Sequence, residues 1–124
     1  MGTFTVTIEV GDAQGQRFEQ VDALVDTGAT LTTLPASLLE SLGITPVRRG
    51  TFRLANGQSV EMGMGETRVK VEGLETSTWV LFGEEGAPIL LGALTLEGLL
   101  LGVDPFNRRL IPIEGLLMSA SNLF

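Results

Sequence analysis

The chain of 124 residues is 44% hydrophobic, which is enough for one compact domain with a modest core and too short for two. The formal net charge of -7 and the scattering of the eight basic residues argue against a nucleic-acid or anionic membrane surface. Cys and His are both absent, which excludes disulfides, thiolate sites and the usual general base of Ser and Cys hydrolases. Any hydrolytic chemistry must therefore use carboxylates.

The N-terminal quarter predicts two strands. Apolar residues alternate with polar ones over 3–10, as in a strand with one buried face, and 11–15 predicts a turn. A second strand is predicted from about Arg17 to Asp26, and its end is continuously apolar, as expected where a strand enters the core. The alternating apolar positions of the first strand are Phe4, Val6, Ile8 and Val10.

The middle of the chain predicts one short helix and one hairpin. After a short run at 31–34, a helix is expected over 37–42, with Pro35 in its first turn and Gly43 just past its end. The pair Asn56-Gly57 favours a type I′ turn, in which both residues take a positive φ. Strands over 51–54 and 60–64 would then form a long projecting hairpin.

The remaining segments predict a mainly β fold with one or two short helices. We treat 1–124 as a single domain, with 115–124 as a loosely held tail. Because the chain starts directly in strand-like alternation and lacks an apolar run of membrane-spanning length, we expect a soluble, cytoplasmic protein. The expected elements are strands at 67–71 and 76–82, a loop at 84–88, an apolar run at 89–92, a helix at 93–98 and a strand at 109–113.

The four Asp residues differ in their surroundings. Asp12 and Asp104 lie in predicted turns and Asp22 lies within a strand, so solvent exposure is expected for all three. Asp26 instead follows the apolar pair Leu24-Val25 and precedes a tight turn, so we expect a buried carboxylate. Burial of a carboxylate is costly, which makes Asp26 the candidate for chemistry.

Two carboxylates that share a proton can drive attack of water on an amide. Asp22 and Asp26 lie on one side of the same strand but roughly 13 Å apart, because each residue advances the strand by about 3.3 Å. They cannot form such a pair. The second carboxylate must come from a distant Asp or Glu or from Asp26 of another subunit, which a symmetric dimer supplies.

The segment Leu24-Val25-Asp26-Thr27-Gly28-Ala29 resembles the apolar-apolar-Asp-Thr/Ser-Gly-Ala/Ser signature of retropepsin-like aspartic proteases. Ile89-Leu90-Leu91-Gly92 is similar to the second apolar-apolar-Gly element of that family, and the Asn56-Gly57 hairpin stands where the family has its flap. The resemblance extends over nearly the whole chain to about Ile113. It implies the closed β-barrel of the acid protease fold and a homodimer that cleaves peptide or protein substrates.

The resemblance also implies roles for individual residues, without a metal ion or other cofactor. Asp26 would be the catalytic carboxylate, Thr27 would bond across the dimer axis, and Gly28 would let the substrate backbone approach. The expected substrate-binding residues are Ala29 and Thr30 after the signature and Ala55, Asn56 and Gly57 at the flap tip.

The chain departs from the retroviral pattern at two positions. Retroviral enzymes commonly carry an Asp where this chain has Thr30 and an Arg where it has Ala93, so this sequence looks closer to bacterial members of the family. Substrate contacts ascribed to that Asp do not transfer. The alternatives to a protease are a catalytically idle dimerisation or peptide-binding module that keeps the fold, and an ordinary structural β-barrel domain.

Overall fold

The computed structural model describes residues 4–117, which form nine strands and two short helices. The strands are β1 (Thr5–Gly11), β2 (Phe18–Val25), β3 (Thr32–Pro35), β4 (Arg48–Arg53), β5 (Ser59–Val71), β6 (Leu74–Gly83), β7 (Leu90–Leu91), β8 (Leu101–Asp104) and β9 (Arg109–Pro112). The helices are α1 (Ala36–Ser41) and α2 (Ala93–Leu99), close to the predicted bounds.

Six of these strands close into a barrel. The pairing order is β1-β2-β7-β3-β6-β5, and β5 returns to β1 through the pairs Glu9 with Lys70 and Val10 with Val69. Strand β4 lies outside this ring and pairs with β5 alone, and β8 and β9 form a separate hairpin. The predicted closed, mainly β fold with a projecting hairpin is confirmed.

The barrel interior is filled by the apolar faces of its strands and sealed by the helices. Ile8 and Val10 are fully buried, as the alternation of the first strand predicted. Leu39 of α1 and Leu96 of α2 pack into the same core cluster. Each large apolar side chain removed from water in this way stabilises the fold by about 1.5–3 kcal/mol.

The predicted type I′ turn at Asn56-Gly57 is wrong. Gly57 has a φ of 88°, but Asn56 does not have a positive φ, and Leu54 donates its N–H to the carbonyl oxygen of Gln58 at 2.8 Å. The result is a three-residue loop that ends in a left-handed glycine. The side chain of Asn56 stabilises this geometry by accepting a hydrogen bond from the Gln58 N–H at 2.9 Å.

A two-residue turn with positive φ at both positions lies elsewhere, at Glu72-Gly73, with φ values of 52° and 82°. It joins β5 to β6, where Val71 pairs with Leu74. The two strands predicted at 60–64 and 67–71 are in fact one strand, β5, of 13 residues. Strand β8 is absent from the predicted elements, because its four residues follow α2 with a single residue between them.

Within residues 4–117 no helix is long and apolar enough to cross a membrane. Most of the predicted loose tail, 118–124, and the start of the first predicted strand at Thr3 lie outside the described residues. The single-domain assignment stays a prediction.

Candidate active site

The signature segment begins where β2 leaves the barrel core. Val25 is the last residue of β2 and is buried, and Asp26 follows it directly. Strand β2 runs parallel to β7, with Leu24 beside Leu90. The Asp26 N–H donates to the carbonyl oxygen of Leu91 at 3.0 Å. The two apolar elements of the signature are thus adjacent strands, and the second fixes the backbone of the first at Asp26.

Asp26 starts a tight turn that orients its own carboxylate. The Ala29 N–H donates to the carbonyl oxygen of Asp26 at 3.1 Å, and the Gly28 N–H donates to Asp26 Oδ1 at 3.0 Å. Within residues 4–117 the bond from the Gly28 N–H is the only hydrogen bond of the carboxylate, so Oδ2 has no partner there. The expectation of a buried carboxylate is wrong for the single chain, where Asp26 is partly exposed because the turn carries it beyond the end of the buried strand.

Thr27 and Gly28 form the exposed corner of the turn. Among the described residues, the Thr27 hydroxyl makes no hydrogen bond, although the side chain is exposed and can reach a partner. A Cβ added at Gly28 would meet Asp26 Oδ1 at 3.2 Å and nothing else within 4 Å. The space over Gly28 is therefore open to the backbone of another molecule, and the assigned roles of both residues stay predictions.

The start of α2 holds the far side of this loop. The Ala93 N–H donates to the carbonyl oxygen of Ala29 at 2.8 Å, and the Leu94 N–H donates to that of Thr30 at 3.0 Å. Gly92 lies so close to the end of the Asp26 loop that an added Cβ would stand 2.6 Å from the carbonyl carbon of Leu31. Only glycine allows this approach.

A buried network of three threonine hydroxyls lies beneath the loop. The Gly92 N–H donates to Thr32 Oγ1 at 3.0 Å, Thr32 Oγ1 lies 2.6 Å from Thr95 Oγ1, and that atom lies 3.0 Å from Thr78 Oγ1. All three side chains are buried. These residues were not among the predicted site residues. The available signal was a polar residue between two leucines, as at Thr95.

An open groove of about 1370 Å³ separates the loop from the β4–β5 hairpin. Gly28, Ala29 and Thr30 line one side of it, and residues 48–54 and 60–64 line the other. The predicted tip residues Ala55–Gly57 are exposed and do not line the groove, and neither does Asp26. In the single chain, the structure brings only Ala29 and Thr30 of the five predicted substrate-binding residues to the groove.

An apolar cluster forms at the base of the hairpin. Met62 and Met64 belong to it. Trp79 is partly buried against the cluster, and the guanidinium of Arg48 lies 5.8 Å from the centre of its ring. The other members of the cluster are Leu31, Phe52 and Leu81.

Residues 13–108 match the protein family described as "gag-polyprotein putative aspartyl protease". The solution structure of Simian Foamy Virus (mac) protease is similar, with a TM-score of 0.54 and 21% sequence identity over 76% of this chain and 92% of the viral one. At that identity the likeness concerns the fold. No curated protein sequence matches the chain. The family match covers most of the chain, the Asp26 signature lies within it, and the fold agrees, so the chain belongs to the retropepsin-like family of aspartic proteases.

Proposed function

We propose that the chain is an aspartic endopeptidase in which Asp26 from each of two subunits forms one peptide-cleaving site. The observation that carries this proposal is the state of the Asp26 carboxylate. One oxygen is held by the Gly28 N–H, and the other has no hydrogen-bond partner among residues 4–117. A carboxylate oriented at an exposed corner is suited to meet a second carboxylate from outside the chain.

Asp22, the nearest Asp in sequence, does not supply that second group. Its side chain accepts a hydrogen bond at 2.9 Å from the hydroxyl of Thr7, its partner on the neighbouring strand β1. Four strand residues place it about 13 Å from Asp26. A two-fold axis at the Asp26 corner would bring two identical carboxylates together, and the free Thr27 hydroxyls would brace the two loops across that axis.

In the proposed reaction, a water molecule lies between the two carboxyl groups, which share one proton. The ionised Asp26 removes a proton from the water as it attacks the peptide carbonyl carbon. The protonated Asp26 of the other subunit donates to the carbonyl oxygen. The peptide would lie along the groove over Gly28, and the hairpin tip at 55–57 would close over it and exclude water.

The substitution Asp26→Asn is expected to abolish cleavage with little loss of stability, because the amide is nearly isosteric but cannot act as acid and base. The measurement is digestion of an unbiased peptide library followed by mass spectrometry, with urea unfolding of both proteins. The matched control is Asp22→Asn, which should retain cleavage. Specific cleavage that survives in purified Asp26→Asn protein contradicts the proposal.

A further inference from the structure

Three of the eight basic residues of the chain lie on strand β4, which lines the groove. Two of them are engaged within the hairpin itself. Arg49 forms an ion pair with Glu61 at 3.5 Å, and Arg53 donates to the carbonyl oxygen of Gly57 at 3.0 Å. Arg48 forms no ion pair within residues 4–117, and its guanidinium lies over the ring of Trp79. Arg48 therefore presents a positive charge without a carboxylate partner.

The position of Arg48 on the hairpin is set by the strand register. Arg48 pairs with Met64 and Phe52 pairs with Val60, so Arg48 shares the face that carries the apolar cluster. Arg48 is exposed, and its cation–π contact with the Trp79 ring limits the motion of the guanidinium. This arrangement favours a bound carboxylate over water as the partner of Arg48.

The acidic residues around Arg48 do not occupy this position. Glu66 is the cross-strand neighbour of Trp79 but forms no ion pair with Arg48. Glu40 and Glu84 line the same groove as Arg48, but neither forms an ion pair with it. Glu61 is already paired with Arg49.

We propose that Arg48 makes the groove select peptides that carry an Asp or Glu side chain at the end near the hairpin base. An apolar side chain next to it would rest on Phe52 and Met62. This inference rests on the proposed function and names the substrate class of that same site. Basic residues on edge strands also serve to block sheet-to-sheet pairing, but that role needs no aromatic ring beneath the guanidinium. Trp79 is what distinguishes Arg48 from Arg49 and Arg53.

Binding can be tested without cleavage in the Asp26→Asn protein. The probes are dye-labelled peptides of about nine apolar and small residues, roughly 30 Å long when extended, with one Glu, Gln or Lys moved through every position. Fluorescence anisotropy gives the Kd. Emission of Trp79, which is the only Trp of the chain, reports contact at the site itself.

At one end of the peptide, Glu should bind roughly threefold tighter than Gln and about tenfold tighter than Lys, as expected for a largely exposed charge pair. In the double variant Asp26→Asn, Arg48→Glu the order should reverse in favour of Lys. The matched control is Arg17→Glu in the same Asp26→Asn background, which makes the same charge reversal at an exposed position outside the groove and should preserve the order.

Equal affinities at every position, an order that Arg48→Glu leaves unchanged, or no binding of any peptide each overturns the inference. Failure of the proposed function gives a different result. If wild-type protein cleaves peptides without a charge preference at any position, the protease assignment stands and the role of Arg48 is wrong. If the charge order is found but wild-type protein cleaves nothing, the role of Arg48 stands and the protease assignment is wrong.

Discussion

The carboxylate of Asp26 is oriented by the same turn that exposes it. Its Oδ1 is held by the Gly28 N–H, and the Asp26 backbone is held by Leu91, so neither the side chain nor the main chain must be ordered when a partner arrives. Groups that are held in place before binding lose less conformational entropy at the moment of reaction. The site loop is therefore built within one subunit, even though we propose that the site needs two.

The substitution Gly92→Ala is expected to destabilise the fold severely. The new Cβ would stand 2.6 Å and 2.7 Å from the carbonyl carbon and oxygen of Leu31, and this backbone contact cannot be relieved by a change of rotamer. Overpacking of flexible side chains costs about 1–3 kcal/mol, so we expect a loss of at least about 3 kcal/mol in urea unfolding. The control is Gly115→Ala, whose nearest neighbour would be Leu100 Cδ2 at 3.5 Å. Equal stabilities of the two variants would contradict the prediction.

Asp104 is expected to make stability depend on pH. The side chain and then the backbone N–H of Asn107 donate hydrogen bonds to it, and with Arg109 they hold the pKa of its carboxyl below the ordinary 3.8. Because the folded-state pKa is lowered, the stabilisation is complete above the ordinary value and is lost as the pH falls through the folded value. The stability difference between wild type and Asp104→Asn in urea should thus be present at about pH 7 and vanish near about pH 2. A difference that is the same at both pH values would refute this.

The residues of the candidate site could be predicted from the sequence to different degrees. Asp26 was identifiable because an apolar pair, a Thr and a Gly flank it. The exposure of its side chain could not be predicted. The orientation of the turn depends on hydrogen bonds from Asp26 to Leu91 and from Ala93 to Ala29, which join residues about 65 positions apart in sequence. The hydroxyl network was missed for the same reason, because Thr32, Thr78 and Thr95 meet only in the folded barrel.

At the scale of elements, the threonine network joins β3, β6 and α2 beneath the Asp26 loop. Replacing Thr95 by Val removes the hydroxyl that both Thr32 and Thr78 contact. Thr32 Oγ1 then keeps only the Gly92 N–H, and Thr78 Oγ1 keeps only a long 3.5 Å contact with the carbonyl oxygen of Trp79, so buried hydroxyls lose hydrogen bonds. Leaving such groups unsatisfied costs about 1–3 kcal/mol in the free energy of unfolding. Thr95→Ser, which keeps the hydroxyl and loses one methyl group, is the control and should cost about 1 kcal/mol. A Val variant as stable as wild type in urea would contradict the proposed structural role.

Periodicity predicted most elements, and local turn chemistry accounts for the errors. The alternation at 4–10 and the helix bounds at Pro35 and Gly43 were reliable because each depends on adjacent residues. The Glu72-Gly73 turn was missed because Glu seldom takes a positive φ, and here the pairing of the long strands β5 and β6 imposes it. Asn56 gave the opposite error, since its side chain stabilises a different loop.

For the whole molecule, the proposed function requires association of two subunits, and neither subunit alone should be active. If wild type and Asp26→Asn protein are mixed at constant total concentration and exchange subunits at random, activity should follow the square of the wild-type fraction. Peptide cleavage is the readout, and specific activity should also fall on dilution below the dimer dissociation constant. The control mixes wild type with Asp22→Asn, for which activity should stay nearly constant. A linear decline with Asp26→Asn after demonstrated exchange would mean that each chain holds a complete site.

Strand β5 belongs both to the barrel and to the projecting β4–β5 hairpin. Residues 64–71 pair with β6 inside the ring, and residues 59–64 pair with β4 outside it, so the two roles overlap at Met64 alone. Beyond Met64 the hairpin is a two-stranded ribbon whose length the ring does not constrain. Over evolution, the ribbon can therefore lengthen or shorten while the barrel and the Asp26 loop stay intact. Insertion of one residue in each strand would exchange the two faces of the tip, whereas insertion of two residues in each strand would restore them. Inherited changes in the length of the ribbon should therefore add or remove an even number of residues per strand.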